Sequence, residues 1–493
     1  MKQLMTGALA AAALLAPLGA GAADDADIAE LKTMIQQMKT DYERKIEALE
    51  SRLEEAERTA GEAAGKADRA SREVAAKPVP SARRGGSRGA VTSGNAFNPQ
   101  ISVILDGNYY TDDVDGEGTE LLGEAFRAGA GHGHEDEGGG ENEHAHGGAE
   151  KGFNFREAEV WLSATVDPYF DAQATLTFDD GGGGEIEEAF LETRSLPGGL
   201  KVKAGKFFSD FGYMNRQHPH EWDFVDQNLA HQNLFGFNLA DTGVQLTWLP
   251  ELPVYTLFGV EAFQGEQERF GAFVEDEDER DELALDDEDD GPRLFIGFVK
   301  VAPDLGFNHA LQLGASVAHA TQSQLIGEIE EEEAGFDGDE TLWGLDLVYK
   351  YDSPRSYGAG DFVLQGEYLF DTKDMKITAF EDDPTLVGGT RKFKTDGWYL
   401  QGWYGFAPRW QAGLRYDALG STNKVTGTGG GENFDESDRW TAALTYRPSE
   451  FSMLRLQAAT ADIVTGEDGT SEDFDYVYLQ YILSLGSHGA HKF

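Results

Sequence analysis

The residues of this sequence with the clearest capacity for chemistry are histidines that stand among carboxylates. The stretch HGHEDEGGGENEHAHGG, residues 132–148, contains two His-x-His pairs, formed by His132 with His134 and by His144 with His146. Imidazole and carboxylate groups bind zinc and similar divalent ions, and His-rich tracts often bind such metals. Because ordering a glycine-rich segment costs conformational entropy, we expect weak zinc binding here rather than a structural site. A solvated insert without ligands fits the composition equally well.

A second group of histidines lies in residues 210–239, a stretch rich in aromatic side chains. Solvated loops are rarely so aromatic, so this segment is expected to pack against another surface of the protein. Its polar residues can coordinate a divalent ion, or they can hydrogen-bond the segment to that surface, which is the favoured interpretation. The candidate residues are His218, His220, Glu221, Asp223 and His231.

Composition excludes several classes of protein. The chain of 493 residues has no cysteine, which excludes disulfides and thiolate zinc sites. Its formal net charge of −49 repels nucleic acid, whose phosphates need Lys and Arg partners. The sequence contains no nucleophile elbow, phosphate-binding loop or zinc-protease motif, so we expect no enzymatic activity and no required cofactor.

The N-terminal part of the chain predicts three segments. Residues 1–22 combine one lysine with an apolar run and small residues, as in a secretory signal peptide. Residues 23–60 place apolar residues three and four apart, which predicts a periplasmic coiled coil, with a single helix packed on its own protein as the alternative. Residues 61–99 are rich in small and basic residues and predict a flexible linker. Coiled coil and linker together suggest a tether from the outer membrane to the cell wall.

From residue 100 onward, apolar and polar residues alternate in many short segments. In FDAQATLTF, residues 170–178, every second side chain is apolar. Sixteen such segments can be read, among them 309–320 and 341–351, and their connections alternate between short turns with proline and longer acidic loops. No later run of about 18 apolar residues is present, so any membrane span must consist of strands that close into a barrel. Residues 100–493 therefore predict an all-β, transmembrane antiparallel β-barrel of about 16 strands (16–18).

Closure of about sixteen strands leaves a lumen, and polar residues on the inward faces predict that water fills it. Acidic external loops predict a bias towards cations and contacts with lipopolysaccharide through divalent ions. The inward residues expected to line the channel are Glu157, Glu159, Lys201, Lys203, Glu367, Arg415 and Arg455.

In layout the chain resembles the phosphate-selective family of bacterial outer-membrane porins. The resemblance covers residues 24–493, and its one local motif is the terminal Phe493 after the strand YVYLQYILSL. It implies an outer-membrane location, both chain ends in the periplasm, a homotrimer, and a third external loop that narrows the lumen. This chain is acidic where phosphate-selective members line the pore with Lys and Arg, so phosphate selectivity is not expected. The predicted function is a cation-biased diffusion channel that assists zinc uptake; the alternative is the tether.

Overall fold

The computed structural model describes residues 99–486 except 115, 117, 131–147, 180–182, 268 and 330–331. The predicted signal peptide, coiled coil and linker, the four histidines of residues 132–146, and Phe493 lie outside the described residues. The tether hypothesis rests on those N-terminal segments.

Sixteen strands of the described chain form the fold. Two further residues, Glu432–Asn433, pair beside the thirteenth strand. In chain order the strands are Gln100–Asp112 (β1), Gly152–Thr165 (β2), Phe170–Phe178 (β3), Gly184–Thr193 (β4), Leu200–Phe208 (β5), Ala240–Trp248 (β6), Tyr255–Phe263 (β7), Leu294–Ala302 (β8), His309–Ile329 (β9), Glu332–Tyr351 (β10), Phe362–Phe380 (β11), Thr390–Ala407 (β12), Trp410–Gly427 (β13), Ser437–Ser449 (β14), Ser452–Val464 (β15) and Ser471–Gly486 (β16).

The strands close into a barrel. Each strand pairs antiparallel with the next along the chain. The last strand, β16, pairs with β1 in a register that runs from Gly486 opposite Ser102 to Tyr476 opposite Asp112. No barrel strand therefore has an open edge, and the predicted antiparallel barrel of sixteen strands is confirmed.

Short turns and long loops lie at opposite rims. The short-turn rim includes the 3-10 turns Pro197–Gly199 and Ser356–Gly358. Gly199 has a φ of 77°, and a Cβ there would collide with the carbonyl oxygen of Leu249, so this turn requires glycine. Within the described residues, no helix has both the length and the apolar character needed to cross a membrane. The α-helices of the described part of the chain are Gly118–Gly123 (α1), Leu229–Phe235 (α2) and Glu277–Glu282 (α3), and they all lie in long loops.

Strands β9 to β13 are longer than predicted. The segment predicted at 309–320 extends to Ile329, and the segment predicted at 341–351 begins at Glu332, so much of the expected acidic loop between them is a hairpin. These extensions enclose an apolar cluster that includes Phe336, Met375 and Phe393. The predicted strands end too early because the outward faces of the extensions are polar, whereas the other strands were recognised by an apolar outward face.

The outward face of the barrel is apolar. Leucines such as Leu345, Leu414 and Leu456 are about half exposed although nothing in the chain covers them. Exposed aromatic residues stand towards both ends of the strands: Trp440 lies on the long-loop side of β14, whereas Trp410 lies on the short-turn side of β13. A contiguous apolar band between aromatic girdles is the surface of a barrel that spans a membrane.

We expect Leu456→Arg to lower the free energy of unfolding by about 2–4 kcal/mol, because it places a charge near the middle of the apolar band. Leu456 pairs with Leu444, between the aromatic residues Trp440 and Tyr446 of the neighbouring strand. The measurement is the urea dependence of folding into lipid vesicles. Leu305→Arg is the matched control, since Leu305 is similarly exposed (45 % against 49 %) but lies in a short turn. Equal losses for both variants would refute a membrane-embedded band.

Candidate functional site

The interior of the barrel is occupied by the long connection between β5 and β6. We call residues 209–239 the lumen loop. Its aromatic side chains are buried inside the barrel; Phe211, Trp222 and Phe224 are at most 2 % exposed. Part of the loop packs on an apolar stretch of the inner wall that includes Phe207, and α2 extends the same cluster. The segment predicted to pack against another surface therefore lies against the inner wall.

Hydrogen bonds attach the lumen loop to strands all around the bore. The backbone N–H groups of the loop donate to inward side chains of four separate strands. The pairs are Gly212 to Ser316 of β9 (3.1 Å), Met214 to Glu367 of β11 (2.7 Å), Leu229 to Asp417 of β13 (2.9 Å) and Val225 to Gln457 of β15 (2.8 Å). The loop thus crosses the lumen and is fixed on several sides rather than hanging from one rim.

Local sequence signals shape the lumen loop. The side chain of Asn228 caps α2 by accepting a hydrogen bond from the backbone of His231, and Gly236 ends this helix in the left-handed conformation. Asn215 closes the base of the loop, because its side-chain amide donates to the carbonyl oxygens of Ser209 and Leu239. The loop therefore has an internal structure of its own, in addition to its contacts with the wall.

A buried group of charges forms the strongest attachment of the lumen loop. Asp226 of the loop accepts from Arg415 of β13 at 2.7 Å and from Arg439 of β14 at 3.0 Å. Arg439 also contacts Asp417 at 2.7 Å, and Tyr476 donates its hydroxyl to Asp226. Burial alone would raise the pKa of the Asp226 carboxyl, but the guanidinium groups of Arg439 and Arg415 hold this pKa below its usual value. Charged hydrogen bonds in so buried a place restrain the loop tightly.

The histidines of the 3-10 turn Pro219–Glu221 face a second charged cluster. His218 contacts Glu187 at 3.0 Å and Glu188 at 3.2 Å, both in β4, and His220 contacts Glu159 of β2 at 3.0 Å. Burial opposes the charged form of both rings, but the surrounding glutamates prevail: Glu187 and Glu159 raise the pKa of His218 well above its usual value, and Glu159 raises that of His220. The surrounding carboxylates therefore favour the protonated form of both rings.

A cavity of about 150 Å³ lies beside the lumen loop, between the loop and strands β1 and β2. Its lining is largely polar and includes Asn108, Arg156, Asp226 and Gln232. Gly148, the last residue of the His-rich stretch 132–148, and the following Ala149 also line it. This space has room for a few water molecules and connects the interior charges with the loop between β1 and β2.

Several solved structures are similar to the chain. The outer membrane channel DcaP of Acinetobacter baumannii matches with a TM-score of 0.44 and 13 % identity, covering 79 % of this chain and 96 % of that one. An anion-selective porin from Comamonas acidovorans matches with a TM-score of 0.45 and 12 % identity, covering 79 % and 99 %. No selectivity transfers to this chain at such identities.

A relative in sequence is much more similar. An uncharacterized protein of Aquifex aeolicus (strain VF5) is 35 % identical over 409 residues, which are 81 % of this chain and 81 % of that protein. The chain belongs to the same family as this protein. No family model matches the sequence. The match extends over most of both chains, so the similarity between the two proteins is not confined to one segment.

The predicted constriction residues lie inside the barrel, yet none stands in open solvent. His218 and His231 are buried, whereas His220, Glu221 and Asp223 are partly buried. The structure brings His218, His220 and Glu221 together on one turn and places His231 apart from them, on α2. Asp223 accepts a hydrogen bond from Gln401 of β12.

The predicted lining residues all belong to the inward face, but most contact protein instead of water. Lys201 is exposed near the short-turn rim, where it pairs with Glu192 at 2.7 Å. The others differ from the expectation of a water-filled lumen, because the lumen loop and neighbouring wall side chains cover them. These buried residues are Glu157, Glu159, Lys203, Glu367, Arg415 and Arg455.

The sequence analysis missed Asp226, Arg439, Asp417, Glu187 and Glu188. Alternation along β14 could have indicated that Arg439 points inward. For Glu187 and Glu188 no such signal existed, because a β-bulge opposite Thr175 turns two successive residues of β4 towards the lumen.

Acid is expected to destabilise the protein partly through His231. Burial lowers the pKa of His231 to about 3, although a Glu367 oxygen lies 3.8 Å from its ring. In the unfolded chain the pKa of histidine is about 6.5, so the unfolded state takes up a proton first as the pH falls. The contribution of His231 is complete above pH ~6.5 and decreases by up to about 1.4 kcal/mol per pH unit towards pH ~3. Across this range the free energy of unfolding should depend less steeply on pH in His231→Gln than in the parent or in His309→Gln, which changes an exposed histidine of β9. Equal slopes would contradict the assignment.

Proposed function

We propose that the protein is a non-enzymatic channel of the bacterial outer membrane, in which small cations pass beside the lumen loop. The observation that carries the proposal is the closed barrel with an apolar outward face and a polar inward face. Lipid favours the first surface, whereas polar groups, water or ions favour the second. The proposal includes a homotrimer in contact with lipopolysaccharide, with both chain ends on the periplasmic side, where the short-turn rim lies.

Cation preference is supported by the charges of the interior. Acidic side chains from β2, β4 and the lumen loop surround the histidine turn. Asp179 and Asp226 line the cavity, and Arg156 is the one basic residue in the lining that the structure describes. A negative potential along a narrow route raises the local concentration of cations and excludes anions. Weak capture of zinc by His132, His134, His144 and His146 at the long-loop rim would add to this preference.

The test is a planar-bilayer recording under a salt gradient. We expect a reversal potential of the sign that denotes cation selectivity, because the route beside the loop is acidic. Raising the ionic strength should reduce the preference, since salt screens charges over about 10 Å at 0.1 M and over less at higher concentration. An anionic sign at low salt would refute the cation bias, and a folded protein that never conducts would refute the channel.

A further inference from the structure

The turn that carries His218 and His220 lies against four glutamates of the barrel wall. Glu157 and Glu159 belong to β2, and Glu187 and Glu188 belong to β4. Each of these glutamates is at most 7 % exposed. Such a concentration of carboxylates in the interior is costly unless cations compensate it.

The ligand atoms of this cluster fall into two groups that share one residue. In one group, single atoms of Glu157, Glu159 and His220 lie within 4.8 Å of one another; in the other, those of Glu159, Glu187 and His218 do. The two imidazole rings are stacked with centroids 5.8 Å apart. Glu159 therefore stands between the two histidines, where a carboxylate can bridge two ions or serve either one.

The positive charges of the protein do not balance the cluster. Counting the groups that interact electrostatically at this place gives six carboxylates against at most five cations, even with both rings protonated. A further positive charge would therefore be stabilised here. The carboxylates are Asp106, Glu157, Glu159, Glu187, Glu188 and Glu221, and the cationic groups are Arg156, Arg455, Lys203, His218 and His220.

Glu157 gives an independent indication of a missing partner. Both its carboxylate oxygens are buried, and neither has a hydrogen-bond partner among the described residues. Glu157 faces inward together with Glu159 through the regular alternation of β2, next to His220. A β-bulge in β4 presents Glu187 and Glu188 together. Bulges of this kind occur beside functional sites, where they aim side chains that regular pairing would turn away.

We propose that Glu157, Glu159, Glu187, His218 and His220 form a binding site for a first-row divalent metal ion of the zinc type. Two imidazoles with carboxylates are the ligands that borderline ions prefer, whereas calcium and magnesium prefer oxygen ligands alone. Zinc bonds of about 2.0–2.2 Å require ligand atoms roughly 3.4 Å apart, so binding draws the side chains together by about 1 Å. The ion ties the lumen loop to β2 and β4. This site is separate from the His-rich segment 132–148 and does not depend on conduction.

Zinc binding is measured by calorimetry on the refolded full-length protein in detergent, after removal of metal with a chelator. The parent for this test carries His132, His134, His144 and His146 changed to Ala, so that heat from the His-rich segment is absent. We expect this parent to bind zinc with micromolar or tighter affinity. In the same protein, cobalt should give the visible absorption bands of a four- or five-coordinate ion. A parent that binds no zinc overturns the proposal.

Glu157→Gln is the most informative variant, because it removes a ligand without breaking a hydrogen bond to the protein. We expect it to weaken zinc binding by at least about tenfold and to change the cobalt spectrum. Glu340→Gln is the matched control: Glu340 is also inward and 2 % exposed, but it lies in β10, outside the cluster. Zinc affinity should be unchanged there. Equal affinity in Glu157→Gln and the parent would overturn the proposal.

Thermal unfolding of the parent alone, with and without zinc, tests the site even if a variant does not fold. Zinc at 100 times its dissociation constant should stabilise the folded state by a factor of about 100 in the folding equilibrium, and so raise the melting temperature. No rise would overturn the site. Because every readout is taken in detergent, a negative result here leaves the channel untouched, and a non-conducting protein leaves the metal site untouched.

Discussion

Replacing residues 209–239 by an Asn-Gly turn is expected to raise the single-channel conductance several-fold. The lumen loop crosses the bore and contacts strands on several sides, so its removal opens the cross-section that a barrel of sixteen strands normally leaves to water. The replacement suits the wall because Phe208 and Ala240 already pair directly across β5 and β6, and Asn-Gly is the preferred two-residue hairpin turn. The measurement is the step size of single channels in planar bilayers.

The matched control shortens a loop that does not enter the lumen. Val464 and Ser471 also pair directly, so residues 465–470 can be replaced by the same Asn-Gly turn. We expect the conductance of this variant to equal that of the parent. Folding of both variants is checked by their mobility on gels with and without heating. A folded variant without the lumen loop that keeps the parental step size would show that the loop does not limit conduction.

Arg439→Met is expected to destabilise the protein by about 3–5 kcal/mol, because it leaves the buried Asp226 and Asp417 with Arg415 as their remaining guanidinium partner. The same change should release the middle of the lumen loop and make single-channel currents noisier. Stability is measured by urea-dependent folding into vesicles, and noise by bilayer recording of the same preparation.

The control for Arg439→Met is Lys392→Met, which breaks an exposed pair. Lys392 contacts Asp374 at 2.6 Å, but both side chains are more than 40 % exposed. Ion pairs of this kind contribute about 0–1 kcal/mol, so little change is expected. If Asp226→Asn is combined with Arg439→Met, part of the loss should be recovered, since one uncompensated charge is gone. If Arg439→Met alone lowers the free energy of unfolding by less than about 1 kcal/mol, this buried group of charges does not stabilise the protein as expected.

Sequence reasoning predicted the barrel because the wall follows a local rule. Leu456 points to lipid and Arg455 points inward simply because neighbouring residues of a strand face opposite sides. The aromatic content of residues 210–239 likewise predicted a packed segment, and Trp222 and Phe224 are buried inside the barrel. These features depend on the local composition and on the alternation of apolar and polar residues with a period of two, and both are visible in the sequence.

The candidate site was less predictable because its partners are distant in sequence. Asp226 meets Arg439 across 213 positions, and no local pattern marks such a pair. Glu187 reaches the histidine turn through a β-bulge in β4, which interrupts the alternation on which the prediction relied. Their role emerges only when the register of neighbouring strands is known.

The extension of β9 to β13 gives the barrel a high side. Strands β9 and β10 continue for nine residues past the predicted ends, which raises that part of the rim by roughly 20 Å given the rise per residue and the tilt of barrel strands. In the proposed orientation, with the long-loop rim towards the medium, a soluble macromolecule meets these strand extensions before it meets the mouth of the barrel. Antibodies and proteases are therefore expected to engage the extensions of β9 to β13 first.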